Sequence, residues 1–361
     1  MAQERFQPTL ARATRFAASI QAALPILMAP MAGASSVSLA AAVANTGGMG
    51  ACGALLLSPQ AIVSWATAFR QQSNGPFQMN LWVPDPPPHR DLDLEAHQRA
   101  FLSQWGPAVP DDAGDTPLQD FHAQCNALLE ARPTAVSSIM GLFPPAFVQQ
   151  LKARGILWFA TVTTAEEARA AAAAGADALL AQGAEAGGHR GSFRADAAET
   201  EAGGLFSLLP QLSDAVSLPL IATGGIADGR TIAAALLLGA SAVQIGTGLL
   251  RTPEAEIHPA YAQALGRIEA HHTRLTRSFS GRTGRAIRTR FVEAAAAPSA
   301  PPAAPYPVQR ALTRHMREEA ATQNDPERMQ LWAGQSARLA STQPASVVVK
   351  TCWEQACALL S

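Results

Sequence analysis

Eight short apolar runs, separated by amphipathic or alanine-rich stretches of helical length, constrain the fold of this 361-residue chain more than any other feature. The runs are Ile26–Ala32, Met49–Leu55, Phe77–Val83, Ala135–Gly141, Ile156–Val162, Ala178–Gln182, Leu218–Thr223 and Ala242–Gly246. Between them, Ser36–Ala44, Pro59–Arg70, Pro144–Arg154, Thr164–Ala174, Leu205–Ala215 and Gly229–Leu238 read as helices. Ser36, Ser58, Thr164 and Asp228 offer the side-chain oxygens that satisfy free N–H groups at a helix start. Gly155, Gly175 and Gly239 stand where a helix can end in the left-handed region. Strands buried on both faces read as continuous apolar runs, and a β-then-α rhythm calls for a parallel sheet. Two architectures satisfy this: a (β/α)8 TIM barrel and a doubly wound open sheet.

Glycines choose between them. In a barrel, a phosphate site commonly forms from the loops after strands 7 and 8, where this chain has Gly224-Gly225 and Gly246-Thr247. An open dinucleotide fold places GxGxxG after its first strand, and Met31-Ala32-Gly33-Ala34-Ser35 fails that pattern. The expected fold is therefore α/β, a TIM barrel with a smaller cap after strand 8. Residues 1–251 would form the barrel, 252–334 the cap, and 335–361 a segment returning to the barrel, with Val347–Leu360 as a helix. Residues 84–120, which include Pro84-Asp85-Pro86-Pro87-Pro88, read as an excursion between strands 3 and 4. The cap would contain a helix over Pro259–His271, the basic run Arg274–Arg290 and a stiff or disordered Ala/Pro linker over Ala294–Pro305.

Composition narrows the function. With 48% hydrophobic and 15% charged residues and a net charge of −1, the chain has no electrostatic case for nucleic acid or an anionic membrane. No Asp, Glu, Lys or Arg occurs from Phe16 to Phe69, but Pro25, Pro30, Gly33, Gly47 and Pro59 interrupt that stretch. No uninterrupted interval of about 20 apolar residues is left to span a bilayer. The opening Met1-Ala2-Gln3-Glu4-Arg5-Phe6 lacks the basic-then-apolar layout of a signal peptide. Cys52, Cys125, Cys352 and Cys357 form neither a CxxC pair nor a zinc spacing, which fits idle thiols in a reducing cytoplasm.

The chemistry concentrates in Gln182–Gly191, a glycine-rich loop after the sixth run that presents His189. Glycines let a backbone approach a ligand closely, and an imidazole can change charge near neutral pH. The mouth of a barrel strand is where such enzymes hold their chemistry. Gln182 can bond the polar edge of a ring system. Glu185 reads equally as a second base, a solvated carboxylate or a partner for Arg190. Asn80 and Gln244 sit in apolar strands and must find partners there, which points to a cofactor contact ahead of a core amide satisfied by its neighbours. His89, His97, His122, His258, His271, His272 and His315 show no metal spacing and read as exposed; the adjacent His271 and His272 would point to opposite sides of a helix. Arg282, Arg285, Arg288 and Arg290 read as a solvated face from which one arginine could cover a substrate anion. No metal site is expected.

These loops carry a family resemblance. The segments Ala29–Gly33, Ala40–Gly50, Asn80–Val83, Gln182–Gly191, Gly224–Gly229 and Gln244–Thr247 resemble the bacterial-type class I nitronate monooxygenases, formerly 2-nitropropane dioxygenases. Ser280-Gly281-Arg282, Tyr306-Pro307 and Trp332-Ala333-Gly334-Gln335 resemble the same class more specifically. The resemblance implies a non-covalent FMN at the mouth of the barrel and oxidation of alkyl nitronates by O2 to a carbonyl compound and nitrite, with propionate 3-nitronate as substrate. It assigns His189 as catalytic. It assigns Ala29, Met31, Asn80, Gln182, Gly187, Gly188, Gly224, Gly225, Gln244, Ile245, Gly246 and Thr247 to the cofactor. It leaves a homodimer open as the assembly. The flavin-dependent enoyl-acyl-carrier-protein reductases share the histidine and glycine loops, and quinone reduction by NADH occurs among close relatives; these are the rival readings.

Overall fold

The computed structural model describes residues 6–115 and 117–361. In chain order its strands are β1 (Ile26–Met28), β2 (Gly50–Gly53), β3 (Phe77–Trp82), β4 (Ala135–Ile139), β5 (Leu157–Val162), β6 (Ala178–Gln182), β7 (Gly188–His189), β8 (Leu220–Thr223), β9 (Ala242–Ile245), β10 (Thr273–Thr276) and β11 (Gly284–Ile287). Eight of them pair in parallel in the order β1-β9-β8-β6-β5-β4-β3-β2. Contact between Leu27 and Met49 closes the ring, with Met28 N–H donating to the Met49 carbonyl at 2.9 Å and Met49 N–H to the Ile26 carbonyl at 3.0 Å. This is the TIM barrel the apolar rhythm predicts.

The caps act as the sequence implies. Ser36, Ser58, Thr164 and Asp228 each accept a hydrogen bond from a backbone N–H in the first turn of the helix they precede. Gly155, Gly175 and Gly239 adopt φ of +67°, +91° and +112° just past their helices, a region that costs other residues strain. Several strands are shorter than their apolar runs. Ile26–Ala32 keeps only Ile26–Met28 in the sheet, because Ala29–Ala32 leave it to line the mouth of the barrel.

A helix closes one end of the barrel and another packs on its outside. At the N-terminal end the helix Gln7–Ser19 lays Phe16, Ala17 and Ile20 against inward-facing Leu27, Met49, Phe159, Leu180 and Ile221. Burying side chains of this size is worth about 1.5–3 kcal/mol each. The C-terminal helix Ala345–Leu359 returns to the barrel as predicted and packs on Gly229–Leu237. A Cβ at Gly229 would lie 2.3 Å from that of Gln355, so only glycine permits the contact.

Outside the barrel one open expectation is decided and two are corrected. The Ala294–Pro305 segment takes the ordered of its two expected forms. Its start is the helix Arg290–Ala295, and Gln98 Nε2 donates to the carbonyls of Pro301 at 2.8 Å and Pro302 at 2.6 Å. Arg274–Arg290 is not one solvated face. It folds into β10 and β11, burying Arg282 and Arg285, while Arg274 and Arg288 pair with Glu293. The helix over Pro259–His271 stops at Leu265, and His271 and His272 lie in a separate 3-10 turn with ring centroids 4.0 Å apart, not on opposite sides. The 84–120 excursion contributes the helix Leu92–Leu102 and packs with this region: Leu102 and Val109 share one apolar cluster with Phe279, Phe291, Val308 and Leu312.

Candidate active site

Two residues higher on the same strands, the inward positions turn polar. Asn80, Ser137, Thr161, Gln182, Thr223 and Gln244 are all buried at the mouth. Gln78 spans the barrel, donating from Nε2 to Gln244 Oε1 at 2.8 Å and to the Met28 carbonyl at 3.1 Å. Asn80 Nδ2 donates to the carbonyl and the hydroxyl of Ser137, each at 3.1 Å. Above this layer opens a cavity of about 450 Å³, a size suited to a small cofactor or ligand.

His189 stands in its wall on β7, which pairs antiparallel with β11 so that His189 faces Gly284. Gly188 makes the turn into this strand at φ +77°. The chain on either side of the histidine is tightly held. Gln182 Nε2 donates to the His189 carbonyl at 3.0 Å, while Gln182 Oε1 accepts from Gly191 N–H at 2.7 Å. Arg190, fully buried, donates to the Gly183 carbonyl at 2.8 Å. The buried carboxylate of Glu167 accepts from Phe193 N–H at 2.7 Å. The imidazole lies between Trp82 and Trp332, each with its ring centroid 4.7 Å away, and its Nε2 is 2.7 Å from Ser280 Oγ. Burial pushes its pKa down to about 3, and the positive charges of Arg282 and Arg310 push the same way. The imidazole is therefore neutral at neutral pH, as a proton acceptor must be.

Opposite the histidine loop lies a glycine cradle. Gly224 and Gly225 adopt φ of +114° and +72°, and the N–H groups of Gly224, Gly225 and Ile226 make no hydrogen bond within the described residues. Successive free N–H groups in such a turn form a concavity that suits an anion. A Cβ at Gly187 would sit 2.5 Å from Gly334 N and 2.9 Å from Thr247 Oγ1, and Thr247 Oγ1 accepts from Gly334 N–H at 3.0 Å. The glycines thus let three loops meet around one phosphate-sized space.

The structure brings nearly every predicted site residue to this cavity. Ala29, Met31, Asn80, Gln182, Gly187, Gly188, His189, Gly224, Gly225, Gln244, Gly246 and Thr247 all line it. Ile245 does not; its side chain faces the apolar layer behind β9, because successive strand residues point to opposite faces. The Gln182 amide is engaged by the histidine loop at both ends. Glu185 forms no ion pair with Arg190 among the described residues: both its oxygens accept from Leu205 N–H, at 2.9 and 3.0 Å, at the start of a helix. His258, expected to be exposed, is partly buried and lines the cavity, where its Nδ1 accepts from Ala260 N–H at 3.2 Å. His315 is also partly buried. Tyr261, Tyr306, Arg310 and Gln330 line the cavity although the sequence reading gave them no role. The Tyr306 hydroxyl is buried without a hydrogen-bond partner, and burial raises its pKa. Among the described residues no group of three or more His, Cys, Asp or Glu could hold a metal ion, and no helix is long and apolar enough to cross a membrane. The four cysteines are free thiols.

Comparison with known proteins agrees with this geometry. The family model described as Nitronate monooxygenase matches residues 14–354. The chain belongs to the nitronate monooxygenase family. It is 38% identical over 341 residues to the nitronate monooxygenase of Pseudomonas aeruginosa, covering 92% of this chain and 95% of that protein. Among solved structures it resembles a nitroalkane oxidase from Streptomyces ansochromogenes, with a TM-score of 0.87, 37% identity, and 96% and 100% of the two chains covered. FabK from Thermotoga maritima is more distant, with a TM-score of 0.75, 27% identity and 96% of each chain covered. The chain is accordingly an enzyme, a flavin-dependent oxidoreductase of that family on a TIM barrel.

Proposed function

We propose that this member of the nitronate monooxygenase family binds FMN and oxidises alkyl nitronates with O2 to a carbonyl compound and nitrite, with propionate 3-nitronate as its substrate. The observation that carries the reading is a neutral His189, held between two tryptophans, facing the same cavity as a glycine cradle with free N–H groups. The cradle fits the group: Gly224, Gly225 and Ile226 with Gly187, Gly246 and Thr247 would hold its phosphate, and Ala29, Met31 and Asn80 would lie along its ring. When bound, FMN supplies the electron-transfer chemistry that no side chain offers. His189 accepts a proton from the carbon of a neutral nitroalkane, which converts it to the nitronate, and its depressed pKa keeps it neutral for that task.

Substrate charge is met elsewhere in the cavity. Arg310 lines it and makes no ion pair among the described residues, and the unpartnered Tyr306 hydroxyl lies in the same wall. A cation and a free hydroxyl at one site suit a substrate with a second anionic group, such as a carboxylate. The reductase reading has less support. An acidic carrier protein needs a basic face, yet Arg282 and Arg285 are buried and Arg274 and Arg288 both pair with Glu293. The test is oxygen uptake with nitrite release in air. We expect both with propionate 3-nitronate, and a higher KM for it in Arg310→Met with little change for a nitronate that lacks the carboxylate. NADH oxidation at comparable rates without nitronate turnover would refute the reading.

A further inference from the structure

Pro84-Asp85-Pro86-Pro87-Pro88 follows β3 and opens the excursion between β3 and β4. The structure shows where Asp85 goes. Its carboxylate accepts from Arg282 Nη1, at 3.1 Å to Oδ1 and 3.0 Å to Oδ2. Arg282 is 3% exposed, and its Nη2 donates to the Ser192 carbonyl at 3.0 Å, three residues beyond His189. A buried guanidinium is costly unless it is paired and hydrogen-bonded. Among the described residues Asp85 is its ion-pair partner.

Arg282 also touches the histidine through its backbone. Its carbonyl accepts from Ser280 Oγ at 3.2 Å, and Ser280 Oγ is 2.7 Å from His189 Nε2. Ser280 is fully buried, so water does not share in this arrangement. A serine hydroxyl has one proton to give. Given to the Arg282 carbonyl, it leaves Oγ to accept, so Nε2 must carry the imidazole proton and Nδ1 is left as the basic nitrogen. If the 280–282 turn moves, the serine proton turns to Nε2, and Nδ1 becomes protonated and can no longer take a proton.

We propose that Asp85 is a positioning residue for His189: by anchoring Arg282 it fixes the Ser280–Arg282 turn and so holds the imidazole in the tautomer with its proton on Nε2. The inference makes the excursion after β3 a support for the site rather than a lid or a spacer. It rests on His189 being the proton acceptor of the proposed function, but its first readout does not depend on turnover.

That readout is long-range 1H–15N correlation NMR of histidine-labelled protein, with the His189 ring signals identified by their loss in His189→Gln. Wild type should show one tautomer, with Nε2 protonated. The double variant Asp85→Asn/Arg282→Gln removes both charges and so leaves no buried ion unpaired. It should show mixed tautomers and, with a neutral nitroalkane whose carbon proton the imidazole removes, a kcat lowered about tenfold or more, the usual scale for a supporting shell, with KM and FMN content unchanged. Ser280→Ala, which removes no charge, should give the same signature. Adding the double variant to Ser280→Ala should cost nothing more, because the effect passes through Ser280. Asp85→Glu, which retains the ion pair, should keep most of the wild-type kcat. A wild-type tautomer in the double variant or in Ser280→Ala would overturn the proposal, as would losses that simply multiply. Mixed tautomers in an enzyme that turns over no nitronate would sustain this inference and refute the proposed function.

Discussion

The floor and the mouth of this barrel are built from the same strands with opposite chemistry. On β5, Phe159 faces the floor and Thr161 the mouth; on β6 the pair is Leu180 and Gln182, and on β8 it is Ile221 and Thr223. A strand presents every second residue to one face, so a step of two residues moves from apolar stabilisation to polar chemistry without any change of backbone. The floor is then closed by Phe16 and Ile20, whereas the mouth is left open and ringed by glycine loops. Stability and function are therefore separable by position along the strand, and substitutions at the two ends should fail in different ways.

The largest effect should come at the mouth. His189→Asn is expected to retain FMN and lose turnover by roughly 10²–10⁴-fold, the range for a missing general base. Nitrite release from a neutral nitroalkane, measured on flavin-loaded protein, checks this, and near-normal turnover would remove His189 from the mechanism. At the floor, Phe159→Ala should do the reverse. It should cost about 3–5 kcal/mol of stability in denaturant melts, with turnover per folded molecule unchanged. A loss of turnover at this site would show that floor and mouth are coupled.

A smaller effect is expected in the cradle. Gly187→Ala places a Cβ 2.5 Å from Gly334 N, so the loops must part. FMN should bind at least about tenfold more weakly, roughly 1.4 kcal/mol, as read by fluorescence titration. Of comparable size is the pH dependence. His189 takes up its proton near pH 6.5 in the unfolded chain but only near pH 3 in the native one. Between those values the unfolded state binds the extra proton, so native stability falls as pH falls below 6.5. At pH 5 the loss should be on the order of 1–2 kcal/mol relative to pH 7.5, and His189→Gln should abolish it. Parallel denaturant melts of the two proteins at the two pH values would sharpen the contrast, since floor variants should keep the wild-type slope.

The same contrast explains how much of the molecule was legible in its sequence. Barrel strands carry a local signal, and so do the caps at Ser36, Ser58, Thr164 and Asp228; each is decided within a few residues. The glycine loops were legible because close backbone approach leaves few alternatives to glycine. What local pattern could not show was assembly across the chain. Phe16 and Ile20 gave no sign that they plug the floor, since the surfaces they meet lie on strands spread from Leu27 to Ile221. Gln98 holds a proline-rich segment about two hundred residues away, so that segment's composition alone left stiff and disordered forms open. The basic run misled for a related reason. The turn before β11 carries Arg282 to Asp85, and β11 carries Arg285 to the Ala184 carbonyl, partners that composition does not reveal. Arg310 could have been suspected only from its place four residues after Tyr306.

The central claim is that this cavity holds FMN and serves a nitronate rather than a nicotinamide. The most direct measurement is to mix the purified yellow protein anaerobically with propionate 3-nitronate, and separately with NADH and NADPH, while following the flavin absorbance. Rapid loss of the yellow band with the nitronate alone, and nitrite once air is admitted, is the predicted result. Bleaching by a nicotinamide and not by the nitronate would contradict the account and turn it to the reductases.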